Sequence, residues 1–352
     1  MADLPQIAVA GVGGYAGAEL ARLLLAHPRL QGRPPLFFGR ESEEDRAATP
    51  LTDLHPQLAR PGGAPCLVEP FRWETLAERK VDLIFLATPH EESRAWAPRL
   101  LAQGVRVVDL SGAWRLRVAE HRAVYKLQDA DIVAAGAAQA EAVYGLPELH
   151  RNAIRTARLV ANPGCYATSL ILALAPLVRA GVVDSERGIV CDAKSGVSGA
   201  GKTPTPKTHF MHAADNLSAY AVFGHRHTGE LLEQLQLTAA DITFTPHLLP
   251  IPRGIFSTVY VPLKKHATAE AIDELFRGFY AEAPMVRWRG TRLPEIQHVV
   301  RTSYCDLGFA LAPDGRRLIV VACLDNLLKG ASAQAVENMN LMFGWPEQEG
   351  LV

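Results

Sequence analysis

Seven residues near the start of the chain, Gly11-Val12-Gly13-Gly14-Tyr15-Ala16-Gly17, constrain the fold more than any other segment. Residues 5–11 read as a short buried strand, and from Ala18 to His27 leucines and alanines recur at helical spacing. Strand, glycine-rich turn and helix open a βαβ unit. Missing side chains there let phosphates approach the backbone, and a helix N-terminus offers N–H groups and positive dipole. A plain tight turn also fits the cluster, but both flanking elements favour a dinucleotide fingerprint. The next strand, 36–38, ends in Gly39-Arg40, where an NAD-binding chain would carry an acid for the ribose hydroxyls. An arginine suits the 2′-phosphate of NADP instead, although Glu41 follows at once.

Strands at 81–87 and 105–110 alternate with helical stretches at 73–79 and 91–103, which predicts a parallel, doubly wound sheet. From about Leu159 the pattern changes. A helix is expected over 167–180 and another over 267–280, among strands at 188–193, 241–249, 257–262, 304–312 and 317–324, the last two joined across Asp314-Gly315. An amphipathic helix over 330–343 is long enough to pack back on the first domain. The expected fold is α/β: a Rossmann-type dinucleotide-binding domain over 1–160, to which a C-terminal helix within 326–345 returns. An α+β catalytic and oligomerisation domain with a mixed sheet follows over 161–325.

Lys and Arg total 36 against 37 Asp and Glu, so the net charge of -1 leaves no surplus for a nucleic acid or an anionic membrane surface. No apolar run is long enough to cross a bilayer, and residues 1–6 carry no basic region or cleavage pattern, so a cytoplasmic location is expected. The five cysteines (Cys66, Cys165, Cys191, Cys305 and Cys323) are odd in number and form no CxxC or Cys/His cluster. Neither a disulfide framework nor a metal site is expected.

Among these cysteines one has a nucleophile's setting. Asn162-Pro163-Gly164-Cys165 places a thiol at the start of a helix, whose dipole favours the thiolate; the other reading is a small buried side chain. A second glycine-rich segment, Lys194 to Lys202, follows a strand and could cradle an anion or simply connect elements. It is no P-loop, because Pro204 falls where a helix should run. Gly224-His225-Arg226-His227 brings two imidazoles to a helix start, where they could serve a cysteine in proton transfer or form only a solvated polar turn. Arg253, between Pro252 and Gly254, could hold a carboxylate with two parallel donors or form a structural ion pair.

Taken together, the segments resemble the N-acetyl-γ-glutamyl-phosphate reductases of arginine biosynthesis, relatives of aspartate-semialdehyde dehydrogenase. The matching stretches are GVGGYAGAEL (11–20), ATPH (87–90), DLSGAWRL (109–116), VYGLPEL (143–149), ANPGCYAT (161–168), SGVSGAGK (195–202), HRH (225–227), PHLLPIPRGIFST (246–258) and DNLLKGASAQAVENMN (325–340). The chain departs from the family pattern at Ser303, where Asn is usual, at Gly229, where Pro is usual, and at Lys202, often Arg.

The resemblance implies a thioacyl mechanism in which Cys165 attacks an acyl phosphate and NADP(H) supplies the hydride, with His225 as the acid/base partner. It further implies cofactor contacts from Gly11, Gly13, Gly14, Tyr15, Gly17, Arg40, Ser42, Pro89, Ser195, Gly196 and Asn326. Substrate contacts are implied for Arg115, Asn162, Ser198, Arg226, His227 and Arg253, and assembly as a homodimer or homotetramer. Two other readings fit the same residues: a reductase of carrier-protein-bound aminoadipyl phosphate in lysine biosynthesis, and an NADP-binding regulator without chemistry, against which the pairing of Cys165 with His225 argues.

Overall fold

The computed structural model describes residues 4–39, 47–59 and 66–352, which form two compact units. One comprises 1–117, 125–162 and 332–352; the other comprises 118–124 and 163–331.

In the first unit the elements run β1 (Ile7–Ala10), α1 (Tyr15–Ala26), β2 (Leu36–Phe38), β3 (Thr49–Pro50), α2 (Leu51–Leu54), β4 (Leu67–Glu69), α3 (Trp73–Glu78), β5 (Leu83–Leu86), α4 (His90–Ala102) and β6 (Arg106–Asp109). The short α5 (Ala119–Arg122) lies in the insert belonging to the second unit; α6 (Ile132–Glu141), β7 (Val143–Tyr144), α7 (Pro147–Thr156) and β8 (Leu159–Ala161) then complete the first. The sheet order is β3-β4-β2-β1-β5-β6-β8-β7, parallel throughout except where β3 meets β4. Beyond β1 the order runs one way through β2 and the other through β5, so the crevice at their C-terminal ends is a topological switch point, where such sheets bind ligands. The strands are apolar because both faces are covered: Ile7 to Ala10 and Leu83 to Leu86 are fully buried.

The second unit is built around α8 (Cys165–Arg179), an apolar helix with twelve buried residues that packs on its sheet. Next come β9 (Ile189–Gly196), α9 (Phe210–Ala213), β10 (Ser218–Ala219), α10 (Thr228–Leu235), β11 (Ile242–Leu249), β12 (Ile255–Pro262), α11 (Ala269–Phe279), β13 (Val286–Trp288), β14 (Cys305–Leu311) and β15 (Arg317–Leu324). The sheet, β10-β11-β9-β12-β15-β14-β13, mixes parallel and antiparallel pairs. Along β9, Cys191, Ala193 and Ser195 are buried, while Val190, Asp192 and Lys194 alternate on the more exposed face.

Two elements differ from the sequence expectation in ways that bear on chemistry. Helix α8 begins before the apolar periodicity does, so Cys165 is its first residue and Gly164 its N-cap. Strand β9 runs on to Gly196, so the second glycine-rich segment starts inside the sheet. A side chain at Gly196 would meet the Arg253 backbone at 2.7 Å, and its missing Cβ is what permits that approach. The last helix, α12 (Ala333–Met342), is buried on every side rather than amphipathic, and two of its polar residues, Asn338 and Asn340, are bonded inside the first unit. Asn338 donates to the Gly145 carbonyl and to Asn162 Oδ1, and Asn340 donates to the carbonyls of Glu347 and Glu349.

The glycines of the first turn divide by function. Gly11 has φ +82°, and a Cβ there would lie 2.5 Å from the Ala87 carbonyl; at Gly17 it would lie 2.7 Å from the Gly11 carbonyl. At Gly13 and Gly14 a Cβ would meet nothing within 4 Å. Gly17→Ala is therefore expected to destabilise the protein by about 1–3 kcal/mol, whereas Gly13→Ala should stay within about 0.5 kcal/mol of wild type. Denaturant unfolding checks this, and equal losses would sink the close-packing account.

Candidate active site

In the second unit the start of α8 is enclosed by glycines and aromatic rings. A Cβ at Gly330 would lie 2.7 Å from that of Cys165, and one at Gly164 would lie 2.3 Å from Nε2 of His227. The nucleophile candidate therefore has a backbone, not a side chain, against its Cβ, while an imidazole covers the residue before it. Around this point the rings of Tyr166, Tyr220, His225, His227 and Phe244 meet edge to face, with His225 and His227 centroids 4.7 Å apart. Tyr166 donates its hydroxyl to the His247 carbonyl at 2.7 Å. Burial raises both phenols, Tyr166 far above its ordinary value and Tyr220 to about 12, so both stay protonated donors.

Environment separates the cysteines. Cys165 is half-buried at a helix start, whereas burial pushes the Cys191 and Cys323 thiols well above the ordinary range, which keeps them inert. His225 accepts a hydrogen bond on Nδ1 from the backbone N–H of His227 at 3.1 Å. Burial, helped by the neighbouring Arg226 charge, lowers it to about 4. It is thus a neutral imidazole at pH 7, with its proton on Nε2. Glu230, on α10, is fully buried and accepts the Gly164 N–H on Oε2 at 2.9 Å, with Oε1 4.0 Å from His227 Nε2.

A second network steadies the turn around Arg253. Its Nε and Nη2 reach the fully buried Asp325 at about 3.0 Å, so the two parallel donors face a carboxylate of the chain itself. Asp325 also accepts N–H groups of Arg301, Leu327 and Leu328. Asn326 receives the Gly254 N–H and donates to Ser198 Oγ, tying the second glycine-rich segment to the same turn. Ser195 Oγ donates to the Gly196 carbonyl.

In the first unit, Gly11 to Gly17 and Pro89, the N-cap of α4, stand at the switch point. Helix α1 has no side-chain cap, and Thr88 Oγ1 is buried there without a hydrogen-bond partner among the described residues. The open faces of Gly13 and Gly14 and that orphaned hydroxyl suit a bound dinucleotide. Arg115 donates to the carbonyls of Asn162 and Leu110, bracing the ends of β8 and β6. Arg40 and Ser42 lie outside the described residues.

Two family models match the chain in succession. Residues 6–157 match the semialdehyde dehydrogenase NAD binding domain, and residues 165–326 match the semialdehyde dehydrogenase dimerisation domain. An N-acetyl-γ-glutamyl-phosphate reductase from Symbiobacterium thermophilum is 43% identical over 99% of this chain and 97% of its own. One from Methanocaldococcus jannaschii is 39% identical over 99% and 98%. The chain belongs to the N-acetyl-γ-glutamyl-phosphate reductase family. The fold is also that of aspartate semialdehyde dehydrogenase II from Vibrio cholerae, with a TM-score of 0.69 at 18% identity, over 97% of this chain and 99% of that one.

Family membership makes the chain an oxidoreductase, and the side chains brought together around α8 are where its chemistry has to be sought. Tyr166, Tyr220, Glu230 and Asp325 were not singled out from the sequence. Only Glu230 left a signal, three residues after His227 and so one helical turn away.

The low value of His225 has a thermodynamic consequence. Because the folded value lies below that of a free imidazole, the unfolded chain takes up its proton first as pH falls. The stabilisation from neutral His225 is fully present above about pH 6.5 and is lost on descending towards pH 4. Wild-type unfolding free energy should therefore fall more steeply across that window than that of His225→Gln, which keeps an acceptor for the His227 N–H. Parallel curves from denaturant titrations would refute the assignment.

Proposed function

We propose that the protein catalyses the NADPH-dependent reductive dephosphorylation of N-acetyl-γ-glutamyl phosphate to N-acetylglutamate semialdehyde and phosphate, through a thioacyl intermediate on Cys165. The observation that carries this reading is the setting of Cys165, at the first position of α8 between Gly164 and Gly330 and beside an imidazole pair. The helix dipole favours the thiolate. Its sulfur forms a bond to the acyl carbon while phosphate leaves with the electron pair of the C–O bond. A nicotinamide dinucleotide, when bound, supplies hydride to the thioester. Backbone N–H groups at the start of α1 and the open faces of Gly13 and Gly14 would hold its pyrophosphate, and Arg40 its 2′-phosphate. After reduction the C–S bond breaks, the thiolate returns, and the imidazole pair handles the proton on the developing oxygen.

Arg226, His227 and Ser198 would contact substrate phosphate or carboxylate, with Arg253 holding the turn to which Ser198 is tied through Asn326. The dimerisation-domain match supports a homodimer or homotetramer. No helix among the described residues is long and apolar enough to cross a membrane, and we place the enzyme in the cytoplasm.

Running the reaction backwards with NADP, phosphate and N-acetylglutamate semialdehyde should produce NADPH. Turnover only with a carrier-bound aminoadipate semialdehyde would move the substrate to the lysine branch, and no turnover with either would leave a binding protein. Cys165→Ser should lose several orders of magnitude in rate while still binding NADP, and acyl phosphate without NADPH should add an acyl mass to Cys165 of the wild type. Labelling at Cys191 or Cys323 would overturn the assignment. Gly13→Ala should raise KM for NADPH about tenfold or more with an unchanged unfolding midpoint, because its Cβ enters the space needed by the pyrophosphate. An unchanged KM would place the phosphates elsewhere.

A further inference from the structure

We propose that His55 is a positioning residue for the dinucleotide: its imidazole holds the Val12–Gly13 peptide so that the Gly13 N–H, and not the Val12 carbonyl, is turned to the face that takes the pyrophosphate. The inference rests on the reading of the first glycine-rich turn as the cofactor site.

His55 stands where α2 ends and a single 3-10 turn, Pro56–Leu58, begins. Its own backbone is pinned at both ends: the N–H donates to the Leu51 carbonyl and the carbonyl accepts from the Leu58 N–H, each at 2.9 Å. The residue is buried, and Nε2 lies 2.8 Å from the Val12 carbonyl oxygen, 43 positions away in sequence. A carbonyl only accepts, so the imidazole proton is on Nε2. The same carbonyl is crowded by the start of α1, where a Cβ at Gly17 would lie 2.8 Å from it.

A trans peptide points its carbonyl and its N–H in opposite directions, so rotating the plane between Val12 and Gly13 exchanges a donor for an acceptor on the open face of the turn. Glycine adopts either sign of φ at little cost, and a Cβ at Gly13 would meet nothing within 4 Å, so the torsions on that side do not resist the rotation. The exchange matters for an anion. A carbonyl facing a phosphate repels it, whereas successive N–H groups at a helix start attract it. The glycines that give phosphates room therefore leave this peptide's orientation open, and a donor from a distant segment fixes it. The alternative role for His55 is only to satisfy a buried carbonyl. The two roles differ in outcome: a bond that merely supports the unit affects every ligand of it, whereas an orienting bond affects those that carry a pyrophosphate.

The test removes the donor and follows binding without turnover. The Kd for NADPH, read by fluorescence titration, should rise about tenfold in His55→Leu, because apparent affinity falls with the fraction of chains in the competent arrangement. His55→Asn, polar but too short to reach Val12, should behave alike and serves if the leucine variant does not fold. In His55→Gln the amide nitrogen comes to the place of Nε2, and Kd should stay within about threefold of wild type. Adenosine 2′-phosphate, which has no pyrophosphate, should compete for the site with the same affinity in all four proteins. At saturating NADPH, kcat should be unchanged, as expected when binding alone is lost. An unchanged Kd for NADPH in the leucine and asparagine variants, a glutamine variant as weak as the leucine one, or adenosine 2′-phosphate weakened as much as NADPH would each overturn the proposal. A wild type that binds no NADPH would overturn the cofactor reading, and this proposal with it.

Discussion

Cys165 is flanked by two backbone positions that cannot carry a side chain, and the architecture around the site follows from that exclusion. At Gly164 the space belongs to an imidazole; at Gly330 it belongs to Cys165 itself. Close packing has no slack to absorb a methyl group at either point. The turn that delivers Gly330 is in turn held by Asp325, whose carbonyl accepts the Gly330 N–H and whose carboxylate gathers three further backbone N–H groups and a guanidinium. The backbone after β15 and the segment around Arg301 are thereby tied to one carboxylate.

The two units solve different problems with the same tools. In the first, glycines bring strand, turn and helix together and leave one face of the turn open. In the second, they bring a helix start against imidazole and thiol. The buried side chains of Asn338, Asn340 and Asp325 bear the cost of desolvation because each bonds specific backbone groups, which fixes one arrangement of chain where an apolar core would tolerate several.

Much of the fold was legible because its signals are local. Leucines at helical spacing, the apolar runs at Ile7 to Ala10 and Leu83 to Leu86, and the Asp314-Gly315 turn each carry their own evidence. What escaped notice was what only tertiary packing specifies. Residues 132–141 are nearly all alanine and small residues, with no apolar period to read, and their helix starts on an Asp131 cap. The polar run in α12 reads as a solvent face until its partners in the first unit are known. At the site, residue types announced Cys165 and the imidazoles, since few side chains perform those tasks. Tyr166, Tyr220 and Asp325 make contacts with residues 54 to 81 positions away, and no spacing rule reaches that far.

The ion pair of Arg253 and Asp325 also limits how such a chain can change over generations. With Asp325 fully buried, loss of Arg253 leaves a carboxylate without its counter-charge in the interior, a cost of about 3–5 kcal/mol, close to the whole margin by which many domains stay folded. Replacing both together with apolar groups removes the stranded charge but abandons three backbone N–H groups to burial. A lineage can therefore leave this arrangement only by altering three segments at once, around Arg253, Arg301 and Asp325. Drift elsewhere on the surface can proceed one residue at a time.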